Sequence, residues 1–364
     1  MPNLTPLLLL SLLSFSNEPA LTGLDPVALC EGREVAGVES HSRTRGEYTY
    51  RFADGRTAAR FDAEPERYEI QMGGGCGRMG PLAGKGDPAR FWVFDGKIYI
   101  FASEQCRTAF QKDPLKFLEP EDPAPAAGDE ARSRGGALLE KVLAAFGGAE
   151  KVDGLKTLQV SRVKRTARTG ADSKPASETV EKWKLTVAFP GSFRIDQSWD
   201  DWDSFRVMIK EKGGDGGDAF FVGETTPAEV LHPTARREMW RDLLRQPLVL
   251  LRFRREPGFL AVAGEKRAVA GVEAEELKIH YSGTTTTLSV DAAGRIVALE
   301  YRGRGPQFWF GAVEHRFSDF VEVGGLKLPR RRALVFDGKE PSGEAPSYEI
   351  QVNDPVPSGL FQRN

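Results

Sequence analysis

Cysteine and histidine are scarce in this chain: three of the first and four of the second among 364 residues. Cys30, Cys76 and Cys106 are too few, and odd in number, for a disulfide scaffold. One disulfide with a free thiol, or a thiol pair reserved for metal, both stay open. His41, His232, His280 and His315 are scattered, with no H-x-x-x-H or H-E-x-x-H spacing. Helix-borne zinc motifs are thereby excluded, and each histidine reads as structural. Nucleophile elbows, P-loops and dinucleotide fingerprints are missing as well. The run Gly73 to Gly77 lacks the Lys-Ser/Thr ending of a phosphate loop and reads as a tight turn. With no triad or acid–base pair to be found, the chain reads as non-enzymatic.

A surplus of one charge is also absent. Fifty basic against fifty-two acidic residues leave a net charge of −2, so nothing draws the chain in bulk to nucleic acid or anionic membrane. The arginine runs Arg252 to Arg255 and Arg330 to Arg332 read as a solvated strand face or helix end. Beyond the first residues no segment approaches 18 uncharged apolar residues, the least a membrane-spanning helix needs. Leu7 to Leu13 is apolar apart from Ser11, with small residues at Ser14 and Ser16. That is the pattern of a signal peptide over residues 1–20, although no Lys or Arg precedes it. The mature chain is therefore expected to be periplasmic or secreted, with no transmembrane segment. Cys30 lies well past the apolar run, which argues against a lipid anchor there.

What the chain does have is a repeat at an offset of 49 residues. Tyr50, Phe52, Ala53, Phe61, Pro65 and Tyr68 recur as Tyr99, Phe101, Ala102, Phe110, Pro114 and Phe117, without a gap. Each copy predicts a strand running into a short helix closed by proline and an aromatic. Two copies make a pair of small modules rather than a solenoid. Asp95-Gly96 between Phe91–Phe94 and Lys97–Phe101 predicts a hairpin. Glu104 to Lys112 predicts the second helix. Residues 119–136, rich in Pro, Ala, Gly and charge, read as an exposed linker.

A helix is expected from about Gly136 to Phe146, stopped by Gly147-Gly148. From Leu155 the chain predicts an antiparallel meander. Its strands are Thr157–Thr166, Thr179–Phe189, Ser192–Trp199, Phe205–Lys210, Glu273–Tyr281, Thr285–Asp291, Ile296–Gly303, Trp309–Val321, Arg331–Phe336 and Tyr348–Val352. One helix interrupts it, starting near Thr226-Pro227 and running through Ala235 to Arg245. Trp240, Leu243 and Leu244 give that helix its apolar face. The predicted class is α+β: small α+β modules, then a curved antiparallel sheet, a half-barrel, wrapped on helices.

The motifs Asp25-Pro26-Val27, Cys76-Gly77-Arg78-Met79 and Phe101-Ala102-Ser103-Glu104-Gln105-Cys106, with Phe110, Pro114 and Phe117, resemble the YHS domain family over residues 22–118. The resemblance implies small α+β modules linked to soft or heavy metals. This chain has Ala28, Ala53, Thr57 and Ala102 where the family carries cysteines, so ligands are missing. Residues 137–364 resemble, more loosely, the periplasmic lipoprotein-carrier family (LolA and LolB-like). The cues are the opening helix, Phe193-Arg194-Ile195 after Pro190-Gly191, the helix inside the β series, and Gly325-Leu326-Lys327-Leu328-Pro329. That resemblance implies a hydrophobic cavity able to hold acyl chains, with a lipid, a lipoprotein acyl chain and envelope proteins as partners.

Cys76 and Cys106, with Met79 and Met72 near in sequence, offer sulfur ligands suited to Cu(I). Zinc normally needs four N/S ligands. Copper or zinc is thus the expected cofactor if the thiols bind metal; the alternative is a Cys76–Cys106 disulfide or inert buried thiols. Asp200, Asp201 and Asp203, set among Trp199, Trp202 and Phe205, read as a cation or sugar site or as a polar hairpin tip. Phe308, Trp309 and Phe310 on a predicted strand, with Trp240, are candidate cavity walls; core packing is the alternative.

Overall fold

The computed structural model describes residues 18–168, 177–200, 202–209, 218–223, 226–305, 307–340 and 344–363. Most of the expected signal peptide, and Asp201, lie outside the described residues. Two compact units divide the chain, Met1–Pro114 and Leu115–Asn364.

The N-terminal unit runs α1 (Pro26–Cys30), β1 (Val38–Arg45), β2 (Tyr48–Phe52), α2 (Gly55–Ala63), α3 (Pro65–Tyr68), β3 (Gly75–Cys76), β4 (Gly80–Lys85), β5 (Asp87–Phe94), β6 (Lys97–Phe101) and α4 (Glu104–Lys112). The hairpin β1–β2 stands alone, and β4-β3-β6-β5 form a sheet in which only β3 and β6 run parallel. The sequence repeat is a repeat of structure. In one copy Tyr50 and Phe52 set their rings 5.0 and 5.1 Å from Phe61; in the other Tyr99 and Phe101 stand 5.0 and 5.2 Å from Phe110. Such ring pairs add roughly 0.5–1.5 kcal/mol each beyond their burial. Both helices start on a capping side chain 49 residues apart, Asp54 and Ser103, which satisfies donors the first turn leaves open. The Asp95-Gly96 turn has both residues at positive φ, as a two-residue hairpin requires.

The C-terminal unit opens with α5 (Asp129–Phe146) and α6 (Ala149–Asp153). Helix α5 begins seven residues before Gly136, so the last part of the expected linker is helical. Leu138, Leu139, Val142, Leu143 and Phe146 form its buried stripe, and Gly147, at φ 115°, ends it. Then come β7 (Thr157–Arg168), β8 (Ser177–Ala188), β9 (Ser192–Trp199), β10 (Trp202–Ile209), β11 (Ala219–Gly223), β12 (Thr226–Val230), α7 (Pro233–Leu244) and α8 (Pro247–Arg252). Seven further strands close the chain: β13 (Leu260–Val269), β14 (Val272–Tyr281), β15 (Thr284–Asp291), β16 (Ile296–Arg304), β17 (Phe310–Val323), β18 (Leu326–Phe336) and β19 (Glu349–Val352). They build two antiparallel sheets, ordered β12-β11-β10-β9-β8-β7-β19 and β13-β14-β15-β16-β17-β18. The fold is α+β, with large curved sheets that do not close into a barrel.

Three strands and two helices of the C-terminal unit, β11, β12, β13, α6 and α8, go beyond the sequence expectation. Thr226-Pro227 opens strand β12 rather than a helix; β12 is an edge strand, where proline costs no ladder hydrogen bond. Strand β13 carries a register shift between Ala263 and Lys266, around Gly264-Glu265, so its sequence reads as a turn.

Candidate functional site

A cavity of about 880 Å³ lies in the C-terminal unit, lined by strands β7 to β10, helix α7 and strands β16 to β18. Trp183, Leu185, Phe193, Ile195, Leu243 and Phe310 supply apolar wall. The rest is densely charged. Eight basic side chains (Arg162, Lys164, Arg165, Arg206, Arg241, Arg245, Arg304 and Arg332) face four acidic ones (Glu119, Glu238, Asp242 and Glu344). The lining therefore carries a surplus of four positive charges in a chain whose net charge is −2.

Several of these cations have partners: Arg162 with Glu181 at 2.7 Å, Arg245 with Asp242 at 2.7 Å, Arg304 with Glu238 at 3.5 Å, and Arg241 with Glu119. Arg332 differs. Its Nη1 donates to Gln246 Oε1 at 3.1 Å, its Nε is buried without a partner, and no carboxylate pairs with it among the described residues. Burial pushes its pKa down from the ordinary arginine value. The strand register puts Tyr301 opposite Val313 and His315 opposite Leu334. Period-two alternation then places Tyr301, His315 and Arg332 on one face of the six-stranded sheet.

The Tyr301 hydroxyl and His315 Nε2 lie 3.2 Å apart, while His315 Nδ1 is buried without a partner. Burial, helped by the Arg332 and Arg245 charges, holds the His315 pKa well below its ordinary value. The imidazole is thus neutral at neutral pH. Arg245 stacks 4.0 Å above the Tyr301 ring, and its Nε also lacks a partner. Across the cavity, burial pushes Glu238 up to about 7; the Asp242 and Glu119 charges add to the rise, and Arg304 and Arg245 oppose it.

Of the four expected wall residues, Phe310 lines the cavity, under the Arg304 guanidinium at 4.5 Å. Trp240 does not line it: it packs 5.3 Å from Phe253 and donates its Nε1–H to Ser282 Oγ. Trp309 faces Phe336, with Lys116 Nζ 4.1 Å from its ring. Phe308 sits in a turn at φ 69°. Arg245, Tyr301, His315 and Arg332 were not among the expected site residues. Strand parity was the available signal for Arg332, which shares the face of the buried Leu326 and Leu328.

The two expected sulfur ligands do meet, in the N-terminal unit. Arg78 Nη1 donates to the Cys106 sulfur at 3.9 Å, and the Cys106 backbone N–H donates to Ser103 Oγ at 3.2 Å. Burial pushes Cys76 up. At Cys106 burial acts the same way, but the hydrogen bonds from Ser103, Arg78 and Cys76 outweigh it and hold the thiol below its ordinary value. Met79 donates its backbone N–H to the Cys76 carbonyl at 2.9 Å. Cys30 stands apart as a free thiol that burial pushes up to about 12. Among the described residues no group of three or more His, Cys, Asp or Glu gathers as a metal set would. Two thiols fall short of a closed zinc site.

The remaining candidates have local roles. Asp200, at φ 50°, turns the β9–β10 hairpin and accepts from Val180 N at 3.0 Å. His232 caps α7 by accepting from Thr234 N, and His280 Nδ1 lies 2.9 Å from Thr285 Oγ1.

No family model and no curated protein matches the chain. Solved structures match part of the chain, two of them as follows. A DUF1329 family protein from Desulfovibrio piger matches at 8% identity and a TM-score of 0.40. A putative outer membrane lipoprotein-sorting protein domain from Vibrio parahaemolyticus matches at 10% identity and a TM-score of 0.37. Each alignment covers 64% of this chain and 97% of the other. Among the described residues, no helix is long and apolar enough to cross a membrane.

Proposed function

We propose that the C-terminal unit is a non-enzymatic binding domain for an amphiphile, an apolar chain carrying an acidic group. The apolar part packs against Leu185, Phe193, Ile195 and Phe310, and the acidic group meets Arg332. One observation carries this reading: Arg332 presents a guanidinium without a carboxylate partner, its Nε unsatisfied, inside a cavity of about 880 Å³. That volume falls within the ~300–1,000 Å³ typical of small-molecule sites. An unpaired buried charge is costly, and an arriving anion removes the cost. His315, held neutral, can offer Nδ1 without adding charge. The apolar wall extends the expected carrier of lipid or acyl chains, and the cations specify which end of the ligand lies deepest. The leader-like sequence at Leu7 to Leu13 supports an envelope or secreted setting for such a carrier.

The test uses one fluorescent chain in two charge states, dansylaminoundecanoic acid and its methyl ester. The acid should bind the full-length protein about tenfold more tightly than the ester, the worth of one charge-assisted hydrogen bond. Arg332→Gln should erase that preference while leaving ester binding in place. Equal binding of acid and ester by the wild-type protein would refute the anion site, and binding of neither would refute the carrier reading itself.

A further inference from the structure

Ahead of α5 the chain runs outside helix and strand over residues 117–128. Pro120, Pro123 and Pro125 lie in this stretch, and proline biases itself and the residue before it toward extended backbone. An extended proline-rich chain has three residues per turn, so side chains three apart share a side. Lys116, Glu119 and Asp122 have that spacing, and each reaches a partner within the C-terminal unit. Lys116 Nζ lies 4.1 Å from the Trp309 ring, Glu119 pairs with Arg241 on α7, and Asp122 Oδ2 accepts from Thr285 N on β15 at 2.6 Å. Of these residues only Glu119 and Arg241, the middle pair, line the cavity. The segment is a strap, pinned on either side of Glu119, that carries one carboxylate to the cavity.

The acidic groups of the lining are held in different ways. Glu238 and Asp242 belong to α7 and stay with it. Glu344 pairs with Arg331 on the surface. Glu119 comes from the strap. Its side chain is 40% exposed against 16% for Arg241, so the acid stands at the mouth and the guanidinium further in. An ion pair with an exposed member contributes little to stability and exchanges readily. Arg241 stands one helical turn from Arg245. Arg245 stacks on Tyr301, whose hydroxyl meets His315, and Arg332 shares the sheet face of both. A continuous row of cations and polar groups thus leads from Glu119 to Arg332.

We propose that Glu119 is a tethered stand-in for the acidic group of the ligand, a latch that holds the strap on the empty cavity and that an arriving amphiphile displaces. This rests on the amphiphile reading of the cavity. The incoming acid takes the place of Glu119 on Arg241 and passes inward to Arg332. The apolar chain behind it fills the space the carboxylate held, and Glu119 stays in solvent with the strap released. Removing Glu119 raises the positive surplus of the lining from four to five, which favours the acid further in.

The test follows cleavage of the full-length protein by glutamyl endopeptidase at Glu121–Asp122, inside the strap, with and without saturating dansylaminoundecanoic acid. The acid should speed cleavage of the wild-type strap by about fivefold, the upper range for releasing one exposed ion pair. Glu119→Gln should be cleaved at that faster rate from the start, show no further response to the acid, and bind it about fivefold more tightly than the wild type. Cleavage of the wild-type strap that the acid leaves unchanged or slows would overturn the latch while the carrier reading stands. Tighter binding by Glu119→Gln without faster cleavage would also overturn it, because Glu119 would then be a fixed charge. An acid that binds neither protein would remove the carrier reading and the latch together. If the variant fails to fold, the wild-type cleavage rates decide alone.

Discussion

At the scale of single residues, charge in this protein is arranged against the sequence average. Arg332 belongs to a run that reads as solvated, and two of its three members, Arg330 and Arg331, do pair with Asp319 on the surface. The third turns inward: strand alternation sets it on the face opposite Arg331, and its Nη1 reaches Gln246. A similar reversal occurs at Arg254, whose side chain is only 6% exposed and pairs with Asp153. The nature of the cavity was therefore only half legible. Apolar runs announced Leu185 and Phe193, while the cations that set its character hid inside ordinary composition. Glu238 makes the charge balance sensitive to pH. Its folded pKa, about 7, lies above that of an unfolded glutamate, so the folded state holds a proton that the unfolded state releases. The resulting stability is present in full below the unfolded value and is lost as pH rises through about 7. Arg206, Arg245, Arg304, Asp242 and Glu119 act electrostatically with it. An anion that is ionised throughout, 8-anilinonaphthalene-1-sulfonate, should accordingly bind more tightly as pH falls from 8 to 6. Fluorescence titrations should show that slope in the wild-type protein and a flat profile in Glu238→Gln.

At the scale of elements, the sequence was most informative where contacts are local. Strand β9 and helix α4 match their expected limits, and the 49-residue repeat reappears as ring geometry. Local pattern misled where a residue serves a distant partner. Gly135-Gly136 looked like the end of a linker, yet both lie inside α5. A Cβ on Gly135 would fall 2.5 Å from Ala261 O and 2.7 Å from Val262 Cα on β13, so glycine there allows helix and strand to touch. Gly136 has open space around it. Neighbouring substitutions should then act in opposite directions. Gly136→Ala should stabilise the unit by about 0.5–1 kcal/mol through helix propensity. Gly135→Ala should destabilise it by roughly 1–3 kcal/mol through overpacking. Urea denaturation of both variants measures the difference, and two shifts of the same sign would contradict the close approach.

At the scale of the whole molecule, the chain divides into two compact units. The N-terminal unit has its own core, with Leu21, Val27, Tyr50, Phe52, Phe61, Tyr68, Ile98 and Ile100 nearly or wholly buried. The cavity is lined by residues of the C-terminal unit alone. Chains built this way commonly unfold in more than one step. Calorimetry should resolve two transitions. 8-Anilinonaphthalene-1-sulfonate at about 100 times its Kd should add about 2.7 kcal/mol to the one belonging to the C-terminal unit and leave the other in place. A single transition shifted as a whole would show instead that the units unfold together.

The matched helix caps at Asp54 and Ser103 have a practical consequence. The molecule contains its own worked example of how either side chain can head the same helix. Asp54→Ser and Ser103→Asp are therefore substitutions drawn from the protein's own grammar. Each keeps an acceptor for the open donors of the first turn, whereas alanine would leave those donors unmet. The exchange separates the charge of the cap from its hydrogen bonds.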